Sequence, residues 1–484
     1  YSIWRINKTN RKRVVMIVEK LYIPILNFIY KHTSGLSQRT RSILMYSCLT
    51  IIIVSTYFYQ AKRFFLYDYP AMLNSFIGTC AFIGFLIASI DRKIEMVKIR
   101  SWLMYVLMLC GIVIVVSGIH HYIGYSYILM GLFMTFLMPP FIVVWCYRRD
   151  FDTLFQCIAI IGVICFICYY FVNMICAPVG MDDAFLERYG GIAADPNGVA
   201  KSAVASCVCG IYLMITRTGR KKVWIIPIIS ASIGMTLMTV SRANLIALGC
   251  ILIWGMISGI KYCYHHRDRI LIKRIVLYAF FLVVLIPVFI NGLQLKYVLE
   301  KETTKTVSET QVVTSVDSTE SSLSSIQVDK VIEQRMQQEK TVDNGMDLNA
   351  VSSGRLEIWQ YCIKQSSLLG NDIENKPIIV SDTNHPIYHA HNTVLELLLR
   401  SGVFAGGLFF LLELYCAYWI LRRVFSRGIN TSCELFAVMA ITAFGIASLF
   451  DIVVLPFAKQ TVAMFYLSLP CVIYLNDSGK VENK

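Results

Sequence analysis

Uninterrupted apolar runs recur along the chain at approximately 43–59, 71–90, 101–119, 122–145, 153–176, 198–216, 223–239, 243–260, 275–291, 395–421, 433–450 and 460–475. Continuous runs of roughly 20 residues predict membrane-spanning helices, whereas a β-barrel would alternate apolar and polar positions. The pattern predicts an all-α polytopic membrane protein with about twelve transmembrane helices and a large extracytoplasmic loop. In order, residues 1–42 form a basic amphipathic segment on the cytoplasmic lipid surface, and 43–291 carry helices one to nine. Residues 292–394 are the loop, 395–475 hold helices ten to twelve, and 476–484 form a cytoplasmic tail. The first span is expected to act as its own uncleaved insertion signal.

The loop has two parts. Residues 302–325, ETTKTVSETQVVTSVDSTESSLSS without apolar periodicity, predict a flexible insertion. Residues 353–392 are denser in chemistry. Leu356, Trp359 and Ile363 recur at helical spacing behind Ser353 and Gly354, and predict a short amphipathic helix on the outer membrane face.

Composition agrees with the pattern: 56% of the 484 residues are hydrophobic and 16% charged, and the mean hydropathy is +0.59. The formal charge of +14 raises the question of nucleic acid. With the N-terminus in the cytoplasm, however, 29 Lys/Arg fall on the cytoplasmic side and five in the short outer loops. That asymmetry is the positive-inside signature, so topology and anionic lipid account for the charge and nucleic acid is not needed. The 16 cysteines are scattered largely through apolar runs and read as small core residues; the nearest thing to a metal-ligand spacing, Cys207-x-Cys209, lies inside an apolar run with no partner pair.

Three polar stretches are predicted on the outer side: LERYGGIAADPNG at 186–198, VSRAN at 240–244, and the loop with Arg355 and HAHNT at 389–393. Arg188, Arg242 and Arg355 each have a bland reading, as a loop charge, a snorkelling helix-end residue and a surface-helix residue. Grouped at one membrane face, guanidinium forks would instead grip diphosphate oxygens bidentately without a metal. Asp195 and Pro196 predict an N-cap and first helical residue more than they predict catalysis, and Asp182-Asp183 read as solvated charge. Thr393-x-x-Glu396 predicts a capping box, and Glu396 and Arg400 are spaced to neutralise each other. His391 then stands at a helix N-terminus, where phosphate oxygens bind readily. Its own bland reading is an interfacial anchor.

These residues resemble the O-antigen ligase and polymerase superfamily of bacterial envelope glycosyltransferases. Four pieces carry the resemblance: R-x-x-G-x-x-x-D-P-N at 188–197, Ser241-Arg242, G-R-x-x-x-W at 354–359, and His391-Asn392 followed by nine residues and Gly402. Ala405 stands where the pattern has its final glycine, with Gly406 and Gly407 just after, so both ligase and polymerase stay open. The resemblance implies a GT-C-like, multi-span inner-membrane enzyme with both termini cytoplasmic. Such an enzyme would move a glycan from undecaprenyl diphosphate to a sugar hydroxyl on the outer face, with inversion and without metal or other cofactor. The implied partners are the lipid-linked donor, a saccharide or lipid-linked acceptor, membrane lipid and further polysaccharide-assembly proteins. By resemblance His391 is the catalytic base, and Arg188, Arg242, Arg355 and Asn392 bind substrate.

A flippase or transporter is the competing reading, and should line a cavity with charges deep in several spans. Here such charges are few, Lys201 and Glu413 being exceptions. A structural scaffold is a third reading, and gives no reason for outward arginines beside a histidine.

Overall fold

The structure is a computed structural model. It describes residues 8–58, 69–95, 102–121, 125–177, 188–193, 195–216, 223–265, 279–294, 355–371, 389–427, 431–452, 456–457 and 459–478. The expected flexible insertion at 302–325, together with Asp182, Asp183 and His385, lies outside these residues. Among the described residues every regular element is helical. Seven helices are long and apolar enough to cross a membrane: Gln38–Tyr57, Leu103–His121, Ser126–Arg148, Phe151–Cys176, Pro196–Thr216, Val403–Phe425 and Ser432–Phe450. The other five expected runs fall on shorter apolar helices of 10–17 residues. The chain is thus a membrane-embedded helical protein.

Two compact units divide it. The first takes in Tyr1–Tyr59, Ala71–Ile161 and Arg355–Lys484, the second Gln60–Pro70 and Gly162–Gly354. The first unit contains α1 (Lys8–Thr33), α2 (Gln38–Phe58), α3 (Tyr69–Ser89), α4 (Leu103–His121), α5 (Tyr125–Leu132) and α6 (Met138–Arg148). The helix α7 (Phe151–Cys176) begins in this unit and ends in the second.

Between α5 and α6 the helix widens into a π segment, Phe133–Leu137, and the sequence explains the break. Pro139 and Pro140 have no N–H to return to the carbonyls four residues back, so the Thr135 carbonyl loses its helical donor. The Tyr22 hydroxyl of α1 replaces it at 2.7 Å. Tyr22 and Leu26 are buried, while Leu21, Ile25 and Phe28 of the same helix are exposed. Asn27 clasps the backbone after α3, donating to Ile94 O at 3.0 Å and accepting from Ile94 N at 2.9 Å. Aromatic rings fill the core. Phe82 meets Phe133 and Phe141 at 5.0 Å between centroids, and Phe85 stacks on Trp145 at 5.9 Å. Phe457 reaches this cluster because Gly78 has no side chain; a Cβ there would lie 2.7 Å from the Phe457 Cβ.

The remaining helices of this unit are numbered after those of the second. The second unit holds α8 (Pro196–Thr216), α9 (Ile225–Met238), α10 (Arg242–His265) and α11 (Ala279–Gln294). Small residues such as Ala200, Ala203, Ala205, Ser206 and Gly210 run along α8 and let its neighbours approach, which is how helices pack tightly in lipid. A Cβ on Gly210 would sit 2.7 Å from Ile229 of α9.

Returning to the first unit, α12 is Arg355–Lys364, α13 Thr393–Ser401, α14 Val403–Leu421, α15 Ser432–Phe450 and α16 Gln460–Ser478. Helix α12 occurs where the sequence predicts it, with a different packing face. Ile358 and Cys362 are buried against Ala390 and Leu399, with Trp359, Tyr361 and Leu395 alongside. Ile363 is exposed. Packing on α13 selects the 358/362 stripe, which the expected stripe at 356, 359 and 363 adjoins on the helix surface.

Candidate functional site

In the second unit the motif residues form a hydrogen-bonded knot. Asn197 Oδ1 accepts from Arg188 Nη2 at 3.2 Å and from Ser241 Oγ at 2.8 Å, and Arg188 Nε donates to Thr239 O at 3.0 Å. Ser241, whose carbonyl takes the first helical bond from Leu245 N, also accepts from Asn244 Nδ2 at 2.8 Å. The N-terminal turns of α8 and α10 are therefore tied side by side. Asp195 accepts from Asn197 N at 3.0 Å and Pro196 opens the helix, which is the capping role the sequence predicts. Gly191 holds φ +55 against Asn173, whose Oδ1 accepts from Ile192 N and Tyr189 Oη. A side chain there would collide with that amide.

Arg188 is half-buried in this knot, and much of its guanidinium serves the fold. Arg242 differs: it is exposed on the first turn of α10. A cation at a helix N-terminus opposes the local dipole, and an anion bound there would offset that cost.

In the first unit α12 is docked on the HAHN turn. Trp359 Nε1 donates to Ala390 O at 3.1 Å. Arg355, half-buried at the start of α12, lies over the Phe450 ring at 5.7 Å. Asn392 Nδ2 donates to Leu449 O at 3.1 Å, so Arg355 and Asn392 both rest on the last residues of α15. Asn392 also accepts from Leu395 N at 3.0 Å and is the N-cap of α13.

The capping-box reading of Thr393 is thereby corrected. Thr393 is the first helical residue, and its hydroxyl donates to Asp451 O at 2.9 Å. Asn, an equally good cap, wins the position because its amide spans the Leu395 N–H and the Leu449 carbonyl together. His391, just before the cap, has φ +49.

Glu396 is the hub of this region and is fully buried. It accepts from Tyr127 Oη at 2.8 Å, from Ala390 N at 2.8 Å and from Arg400 Nε, with His389 Nδ1 at 3.5 Å. Burial raises its pKa, but the His389 hydrogen bond, the Arg400 charge and the Ala390 N–H outweigh burial and hold the carboxyl down at about 2. The sequence spacing shows the Arg400 partner. Tyr127 and the reach back to Ala390 have no local signature.

The turn between α13 and α14 accounts for the glycines. Gly402 has φ +93 and no room for a Cβ beside Leu368 O. Beyond it the helices pack so closely that a Cβ on Gly406 would meet Leu398 Cβ at 2.7 Å. The glycine in close contact here is therefore Gly406, while Ala405 is buried and its carbonyl accepts from Cys110 Sγ at 3.6 Å.

The described residues thus show a helical membrane protein with a strained, polar turn in each unit. No protein-family model and no curated protein matches the chain.

Proposed function

We propose that the protein is a glycosyltransferase of the O-antigen ligase and polymerase type, moving a glycan from a polyprenyl diphosphate such as undecaprenyl diphosphate to a sugar hydroxyl. In this reading it has about twelve spans, lies in a bacterial inner membrane with both termini cytoplasmic, and works at the outer face. The observation that carries the proposal is where the backbone is strained. Among the described residues three non-glycine residues have positive φ: Arg149, Val240 and His391. Arg149 is the ordinary left-handed cap of α6. Val240 and His391 fall in the two polar turns that the sequence singles out. Such strain costs on the order of 1–3 kcal/mol and is retained where geometry matters to function. A β-branched valine in this conformation is the more unusual of the two.

The chemistry asks little covalent work of the protein. The acceptor O–H bond breaks as oxygen attacks the anomeric carbon, the proton passes to His391, and the anomeric C–O bond breaks with its electron pair leaving on diphosphate. In the first unit Arg355 supplies a cationic fork for that charge and Asn392 fixes the turn carrying His391; in the second, Arg188 fixes the turn carrying Arg242.

Purified protein incubated with lipid-linked repeat units alone tests this reading. Chain growth without added acceptor identifies a polymerase, and growth only with a separate acceptor identifies a ligase. Movement of the lipid-linked glycan across vesicles with no new glycosidic bond would overturn the proposal in favour of a flippase.

Arg355→Lys should not be conservative, because a point ammonium cannot reproduce a planar bidentate grip. Donor KM should rise or turnover fall by roughly 10-fold or more, the loss of one charge-assisted hydrogen bond. Kinetics equal to wild type would reduce Arg355 to a surface cation over Phe450.

A further inference from the structure

Of the four groups that meet Glu396, three are buried: Tyr127, Ala390 and Arg400. The fourth, His389, has a side chain 58% exposed, with Nδ1 3.5 Å from Glu396 Oε1. The carboxylate is held by the buried three, so it is a fixed anchor against which the imidazole is set. A carboxylate behind Nδ1 selects the tautomer with its proton there, and that leaves the Nε2 lone pair on the far side of the ring. His389 therefore presents an oriented hydrogen-bond acceptor to water, two residues from His391.

Resting on the transferase reading above, we infer that His389 is a specificity-determining residue for the acceptor. Its Nε2 accepts a hydrogen bond from a sugar hydroxyl other than the one His391 deprotonates, and Glu396 is the positioning residue that fixes its tautomer. The ligand class is a carbohydrate bearing at least two hydroxyls on one face. A site built to pair a hydroxyl discriminates against an analogue lacking it, because the site's polar group is then left unpaired.

The test uses the full-length protein in nanodiscs, with the lipid-linked glycan that gives turnover and acceptor analogues each lacking one non-nucleophilic hydroxyl. His389→Ala, an exposed change, should raise acceptor KM about 3- to 10-fold with kcat and donor KM little altered, the size of one neutral hydrogen bond. One deoxy analogue should show the same penalty with wild type and none further with His389→Ala. His389→Gln, which offers a carbonyl oxygen, should recover part of the loss. Glu396→Gln should raise acceptor KM in the same sense. A rise in donor KM alone would place His389 on the diphosphate and overturn the inference, as would additive penalties for every deoxy analogue.

A second readout needs no turnover. In 15N-histidine spectra the His389 signal should report a proton on Nδ1 in the wild type, with that preference weakened in Glu396→Gln because a neutral amide oxygen is a poorer acceptor, and a proton on Nε2 in the wild type would overturn the inference. Absence of transfer by the wild type would refute the transferase reading, with the tautomer result standing separately.

Discussion

Glu396→Leu should destabilise the protein by about 3–5 kcal/mol, the usual cost of removing one partner of a buried ion pair. The partner is Arg400, whose side chain is 8% exposed and lies over the Tyr127 ring at 5.7 Å. Removing the carboxylate also takes one buried acceptor from the Tyr127 hydroxyl and one from the Ala390 N–H. The double variant Glu396→Leu/Arg400→Met should recover much of the loss, since replacing both charges with apolar groups removes the buried cation. Thermal unfolding in detergent measures both. A single variant as stable as wild type would show that the hub contributes nothing to the fold. The pH dependence follows from the sign of the shift. The folded carboxyl lies at about 2 against an ordinary 4.5, so its contribution is complete above about 4.5 and is lost as pH falls through about 2. Between pH 5 and 8 this group should add no slope to wild-type stability.

The helical class and most helix positions are legible in the sequence because a lipid solvent leaves two backbone solutions, helix and closed barrel, and continuous apolar length reports the first directly. The short helix at 355–364 and the cap at Asp195 are legible for a similar reason, since both depend on neighbours within a few residues. What depends on distant partners is not. Thr393 and Asn392 are both good caps by residue type, and the choice between them is made by Leu449 and Asp451, more than fifty residues away. The 358/362 packing stripe is likewise chosen by α13. For the candidate site, the stretches around Arg188, Arg242 and His391 stand out in the sequence. The division of labour among them does not: Arg188 is bound into the knot with Asn197 and Thr239, while Arg242 is exposed. Backbone strain at Val240 has no signature in residue type. A valine there gives no warning of a left-handed turn, because the residue types that favour one are glycine and asparagine.

His391→Gly should separate stability from activity. At φ +49 the histidine pays for a left-handed conformation that glycine adopts freely, and glycine in turn loses more conformational freedom on folding. The two effects nearly offset, so the folded protein should be as stable as wild type or more stable by up to about 1 kcal/mol. Transfer, by contrast, should fall about 100- to 10,000-fold, the usual size of a general-base contribution. The Asn392 bonds to Leu395 N and Leu449 O, the Trp359 bond to Ala390 O and the Glu396 bond to Ala390 N do not use the histidine ring, so the turn should keep its shape. Retention of lipid-linked donor by the variant should be near normal, since a base acts on the acceptor hydroxyl and contributes little to holding diphosphate. His391→Gln keeps a polar side chain without a titratable nitrogen and should be nearly as inactive as His391→Gly. Donor binding, thermal unfolding and initial rates on the same three proteins decide the matter. Near-normal rates for the glutamine variant would make His391 an interfacial anchor, and a marked loss of stability for the glycine variant would mean that its ring, not its backbone position, is what the fold retains.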